Sequence, residues 1–154
     1  MTRFFSYSFA TLGLLALIVT VGCGPSGLGV QPVTGTVTYN GEPLEGAVVT
    51  FISTDPLGHG ATGTTAANGT YSLTTHAAAS SGAVIGDYDV VILKTILVDR
   101  LGNEFLDDNQ PLGPSGRPEM RHLIPVKYSG DGTPPILSAT VQRGRNVINF
   151  DLED

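Results

Sequence analysis

One cysteine, three histidines and a short acidic run are the residues of this chain whose types could do chemistry. Cys23 has no second cysteine to pair with, so no intramolecular disulfide can form, and its sulfur is left to acylation or oxidation. His59, His76 and His122 are far apart, show no HxH or HExxH spacing, and read as surface histidines in loops rather than a zinc site. The stretch DRLGNEFLDDNQ from Asp99 to Gln110 gathers oxygen ligands of the kind calcium takes. Asp99, Asn103, Asp107 and Asp108 are its candidate calcium ligands, with Glu104 and Asn109 beside them. The glycine that would make the sharp turn of an EF-hand loop is misplaced, and a solvated acidic loop is the competing reading.

Other chemistries have less behind them. Ser80-Ser81-Gly82 and Pro114-Ser115-Gly116 lack the GxSxG elbow that exposes a nucleophilic serine on a strand-to-helix turn. The glycines are scattered through turns and form neither a phosphate loop nor a dinucleotide fingerprint. Tyr39, Tyr71, Tyr88 and Tyr128 could make a platform for stacking sugars, but the first three fall on core-facing positions of predicted strands. Tyr128 is the exception, next to Lys127. The chain is read as no enzyme, with no cofactor.

The first 22 residues have the layout of an export signal. Arg3 gives a positive start, Phe9 to Val21 is almost wholly apolar, and small Gly22 precedes Cys23. The apolar run is shorter than the ~20 residues a spanning helix needs. TVGC at 20–23 resembles the bacterial lipobox, with Thr20 where an aliphatic residue is usual, and that resemblance implies lipidation of Cys23 after residues 1–22 are removed. A plain secretory signal or a membrane-anchor helix is the alternative. Two or three acyl chains, at roughly 0.8 kcal/mol per buried CH₂, hold a domain durably on a bilayer where one would not. Gly24, where Asp would signal inner-membrane retention in some bacteria, favours an outer-membrane destination. The expected address is extracytoplasmic and membrane-attached: the cell envelope, at the outer membrane or its periplasmic face.

Cutting at Cys23 leaves 132 of the 154 residues and moves the formal charge from −6 to −7. With 8 Lys and Arg in all and no basic stripe, nucleic acid is excluded as a partner. Twenty Gly, 10 Pro and many Thr fit an all-β chain rich in tight turns, with little helix. Residues 23–32 read as a lipidated cysteine and flexible tether, and 33–154 as one domain.

Strands must position whatever site there is. Val33 to Phe51 alternates apolar and polar residues at period two on both sides of a Gly/Pro-rich bend, and reads as an opening hairpin. A short strand near Ala61 to Thr65 leads to Asn68-Gly69, a two-residue hairpin signal, and then to Thr70 to Thr75. His76 to Ala83 reads as a loop. Tyr88 to Val98 reads as one central strand, and Ile136 to Val141 with Asn146 to Leu152 as a closing hairpin about Gln142 to Arg145. The segment at about 99–125, with four prolines and no clean period, reads as an irregular insert of the kind that carries function.

Taken in order, Gly35, Val37, Asn40-Gly41, Pro43-Leu44, Gly46-Ala47, Val49 and Phe51, then Thr65, Gly69 and Tyr71, then Gly86, Tyr88 and Val90 resemble the carboxypeptidase regulatory-like domain. The resemblance covers roughly 33–93, and the ending from Ile124 onward is similar to small bacterial lipoproteins that carry this one domain. It implies an antiparallel β-sandwich of about seven strands, transthyretin-like, serving as a non-catalytic structural or binding module. The membrane, through the lipid anchor, is the expected partner, with an envelope protein or polysaccharide beyond it. The alternatives are a carbohydrate- or protein-binding recruitment domain and a small metal-dependent hydrolase using the 101–125 insert. An enzyme would need His122, Asp107 and Asp108 to converge.

Overall fold

A computed structural model of the chain describes residues 29–76, 80–98, 104, 119–130 and 134–154. In chain order its strands are β1 (Val30–Gln31), β2 (Val33–Tyr39), β3 (Glu42–Pro43), β4 (Val48–Ser53), β5 (Ala61–Thr64), β6 (Thr70–Ser72), β7 (Thr74–Thr75) and β8 (Ser80–Ser81). They continue as β9 (Ala83–Val84), β10 (Gly86–Leu93), β11 (Thr95–Val98), β12 (Glu119–His122), β13 (Leu137–Val141), β14 (Asn146–Val147) and β15 (Phe150–Leu152). The helical content of the described residues is a single 3₁₀ turn at Val126–Tyr128.

The strands build two layers. One is a six-stranded sheet in the order β13-β10-β4-β5-β7-β8, antiparallel at every step. The other is centred on β2, with β14 and β15 parallel along one side and β6 and β3 antiparallel along the other. Period-two alternation decides which side chains fill the gap between them. Val33 and Val37 of β2, Val49 and Phe51 of β4, Tyr88, Val90 and Ile92 of β10, and Phe150 and Leu152 of β15 are buried in one cluster. Phe51 is the hinge of that cluster, with its ring centroid 5.6 Å from Tyr88 and 6.2 Å from Phe150. The fold is therefore an all-β sandwich, as the alternation predicts.

The pairing departs from the sequence reading at several places. β2 and β4 do not form a hairpin: they lie in different layers, and the tight turn at Asn40-Gly41 returns β2 only onto β3. Both turn residues have positive φ, 50° and 84°, the geometry Asn-Gly supplies with least strain. Asn68-Gly69, in contrast, closes no two-residue hairpin. It ends a longer loop in which Ala66 donates to the Thr70 carbonyl and Gly69 to the Ala66 carbonyl. The segment that follows changes layers at Leu73, pairing with β2 through β6 and with β5 through β7.

The closing hairpin is also absent. β13 joins β10 in one layer while β14 and β15 cross to the other to run beside β2. The central strand stops at Leu93, and Thr95–Val98 leaves it to pair with Glu119–His122, inside the segment expected to be irregular. His76 to Ala83 is not all loop, since Ser80–Ser81 and Ala83–Val84 are strands. Nor is the tether free to Pro32: Val30–Gln31 pairs with Ala83–Val84, and the Gly144 amide donates to Gln31 Oε1 at 2.7 Å.

Between β14 and β15 the ladder is interrupted without a change of register. The Asn149 side chain takes a backbone place there, its Oδ1 accepting from the Thr36 amide at 2.9 Å. The Ile148 carbonyl turns inward over Gly35, where no Cβ stands in its way, and accepts the Tyr71 hydroxyl at 2.7 Å. Burial of the phenol pushes the Tyr71 pKa well above the ordinary tyrosine value. Because the folded pKa is raised, the protonated phenol's contribution is complete below about pH 10 and is lost as pH rises beyond it. Tyr71→Phe leaves a half-buried carbonyl without its donor, which costs about 1 kcal/mol, toward the low end of the range for an unsatisfied buried group. Urea titrations at pH 7 and pH 10.5 are expected to show that loss, with a shallower alkaline decline in the variant than in the parent.

Candidate functional site

The registers give the sandwich two ends. β2 starts beside Asn146 and Ser72 and finishes beside Leu152 and Glu42. β10 starts beside Val141 and finishes beside Val48. One pole thus carries Gly29–Pro32, the Thr54–Gly60 loop and the Gln142–Arg145 turn, and the other carries Asn40-Gly41, Thr65–Gly69, the β11–β12 ribbon and Asp154. At about 3.4 Å per residue the eight residues of β10 separate them by roughly 27 Å.

At the second pole a set of polar side chains is fixed around two tyrosines. The Tyr39 hydroxyl donates to Asp154 Oδ1, and Asn40 Nδ2 donates to Asp154 Oδ2 at 3.1 Å. The bond with Asp154 raises the Tyr39 pKa, and the Tyr39 and Asn40 donors hold the Asp154 carboxyl below the usual carboxylate range. Tyr128, expected to stand apart from the core, is buried instead. Its hydroxyl donates to the Glu153 carbonyl and accepts from the Glu153 amide, both at 3.0 Å. The ammonium of Lys127 lies 5.1 Å from the centre of the Tyr128 ring.

Two shallow grooves lie on the outer faces of the layers. The larger, about 500 Å³, runs over β2 and β6 and is lined by Thr34, Thr36, Thr70 and Ser72, with Arg145 and Val147 at its side. The smaller, about 330 Å³, lies over β10 and β13 between Thr54, Asp87, Asp89, Ser138 and Thr140. The Thr140 hydroxyl donates to Asp87 Oδ1 at 2.6 Å, and Thr54 donates to the Asp87 carbonyl from both its amide and its hydroxyl at 3.1 Å. Such surfaces offer hydroxyl and carboxylate hydrogen bonds to a polar ligand. Sequence reading singles out neither these threonines nor Asp87 and Asp89, whose alternation with Tyr88 and Val90 is the available signal.

The histidines do not converge. His76 Nε2 shares a hydrogen bond with the Thr62 hydroxyl at 2.8 Å, and the His59 carbonyl lies 3.4 Å from the Tyr88 hydroxyl. His122, expected in a loop, is in β12 opposite Thr95. Among the described residues no three His, Cys, Asp or Glu side chains gather as a metal-holding group, and no helix is long and apolar enough to cross a membrane. Cys23 and the calcium candidates Asp99, Asn103, Asp107 and Asp108 lie outside the described residues. Glu104 is exposed and bridges to Val98. No protein-family model matches the chain, and no curated protein or solved structure is significantly similar to it.

Proposed function

We propose that the chain is a lipid-anchored extracytoplasmic β-sandwich of the carboxypeptidase regulatory-like kind, a structural or binding module of the cell envelope with no catalysis of its own. What supports the reading is the export-signal layout that ends in the lipobox-like TVGC at Cys23, followed by an all-β sandwich whose N-terminal strand sits at one pole. Gly29 lies six residues after Cys23, and Val30–Gln31 is docked at the end of the sandwich opposite the β11–β12 ribbon. An anchor on Cys23 would hold that first pole toward a bilayer and turn the ribbon and the Tyr39–Asp154 cluster outward, where a partner could be met. The two grooves support binding over chemistry, because their hydroxyls and carboxylates lie on open sheet faces rather than around a withdrawn nucleophile.

Metabolic labelling tests the anchor. Labelled palmitate is expected in the parent chain, whose purified N-terminus should be acylated Cys23, and all label should be lost in Cys23→Ser. An unlabelled parent that retains its first 22 residues would overturn the reading. Proteins co-purifying with the acylated chain would then identify what the outward pole meets.

A further inference from the structure

The two edges of the six-stranded sheet are finished differently. At one edge β8 is only two residues long, and the β1–β9 pair lies beside it, with Ala83 and Thr75 buried. At the other edge stands β13, Leu137-Ser-Ala-Thr-Val141, which pairs with β10 and with no other strand among the described residues. Natural sheets blunt such an edge with charge, proline, a bulge or brevity, and within its five residues β13 has none of these. The core is also unfinished there. Tyr88, Val90 and Ile92 of β10 are at most 2% exposed, while Leu137 and Ala139, in the same inward row one strand further out, are only half-buried. Ile136, just before the strand, is 58% exposed.

We propose that β13 is a pairing edge for a second copy of this chain, joined antiparallel about a two-fold axis through Ala139. The sequence of the strand is self-complementary in that register. Leu137 meets Val141 of the other copy and Val141 meets its Leu137, so the inward row stays apolar, while Ser138 meets Thr140 on the outward face. Neither copy brings a charge to the junction, and the backbone groups of β13 that point away from β10 gain partners. An isologous contact of this kind closes on itself as a dimer. The two six-stranded sheets would become one continuous sheet, and the half-covered row at Leu137 and Ala139 would be shielded. The pairing does not depend on membrane attachment.

Disulfide trapping in the full chain tests the register. Directly opposed residues lie ~4.5–5.5 Å apart, within the range a disulfide spans. Ala139→Cys should therefore cross-link to its counterpart under mild oxidation. Thr140→Cys should not, because each position 140 is diagonal to the other, ~7–8 Å away. The unsubstituted chain, which carries Cys23, sets the background on non-reducing gels. Ala139→Cys is expected to give at least tenfold more dimer than Thr140→Cys. A second variant, Ser138→Cys with Thr140→Cys, places both new thiols on the exposed face and should also dimerise, which keeps the test decisive if Ala139→Cys loses its strand circular dichroism. Equal trapping at 139 and 140, or no dimer above background from either Ala139→Cys or the double variant, would overturn the proposal.

Discussion

Alanine at position 35 is expected to destabilise the domain more than any other one-carbon addition along β2. A Cβ on Gly35 would fall well inside contact distance of the Ile148 carbonyl oxygen and 2.8 Å from Tyr71 Cε1. Neither neighbour can step aside cheaply. The carbonyl is held by the Tyr71 hydroxyl, the Ile148 amide is bonded to Thr34, and the Tyr71 ring is stacked 6.4 Å from Phe150. Overpacking of a tight core contact costs ~1–3 kcal/mol and more when the backbone must move, so a loss of ~3 kcal/mol is the expected scale. A urea midpoint measured beside that of Thr36→Ala, on the outward face of the same strand, isolates the effect. Two variants that melt together would show that the Ile148 carbonyl moves aside freely.

Phe51→Ala should be similarly damaging for the opposite reason. The ring is wholly buried and stands between Tyr88 of its own layer and Phe150 of the facing one. Its removal opens a cavity that collapses only if both sheets shift, and Phe-to-Ala changes in cores cost ~3–5 kcal/mol. The expected outcome is a chain populated largely as unfolded at 37 °C, seen as loss of cooperative melting. Phe51→Leu, which refills most of the volume, should recover most of that stability.

Period-two patterning identified the inward side chains of β2, β4, β10 and β15 because burial acts on each residue locally. Partner choice is not local. Val33–Tyr39 and Val48–Ser53 have compatible faces and a turn-rich link, yet they separate into different layers because β2 finds its long-range neighbours in Asn146–Leu152 and Thr70–Ser72. The two Asn-Gly dipeptides are alike in sequence, and only one has strands placed to use it as a two-residue turn. Tyr128 carried no periodic mark, sitting in a 3₁₀ turn, so its burial against Glu153 was illegible. The grooves were hidden for another reason: each is assembled from strands distant in sequence, as Asp87 and Thr140 are.

The parallel run of β14 and β15 beside β2 has a mechanical consequence. Gly29 precedes β2 at one pole, and Leu152 ends β15 at the other. A pull applied between those ends acts along the strands, so the ladder bonds on β2 are sheared together rather than peeled one at a time. Traction along that line loads the β14 and β15 rungs on β2 side by side.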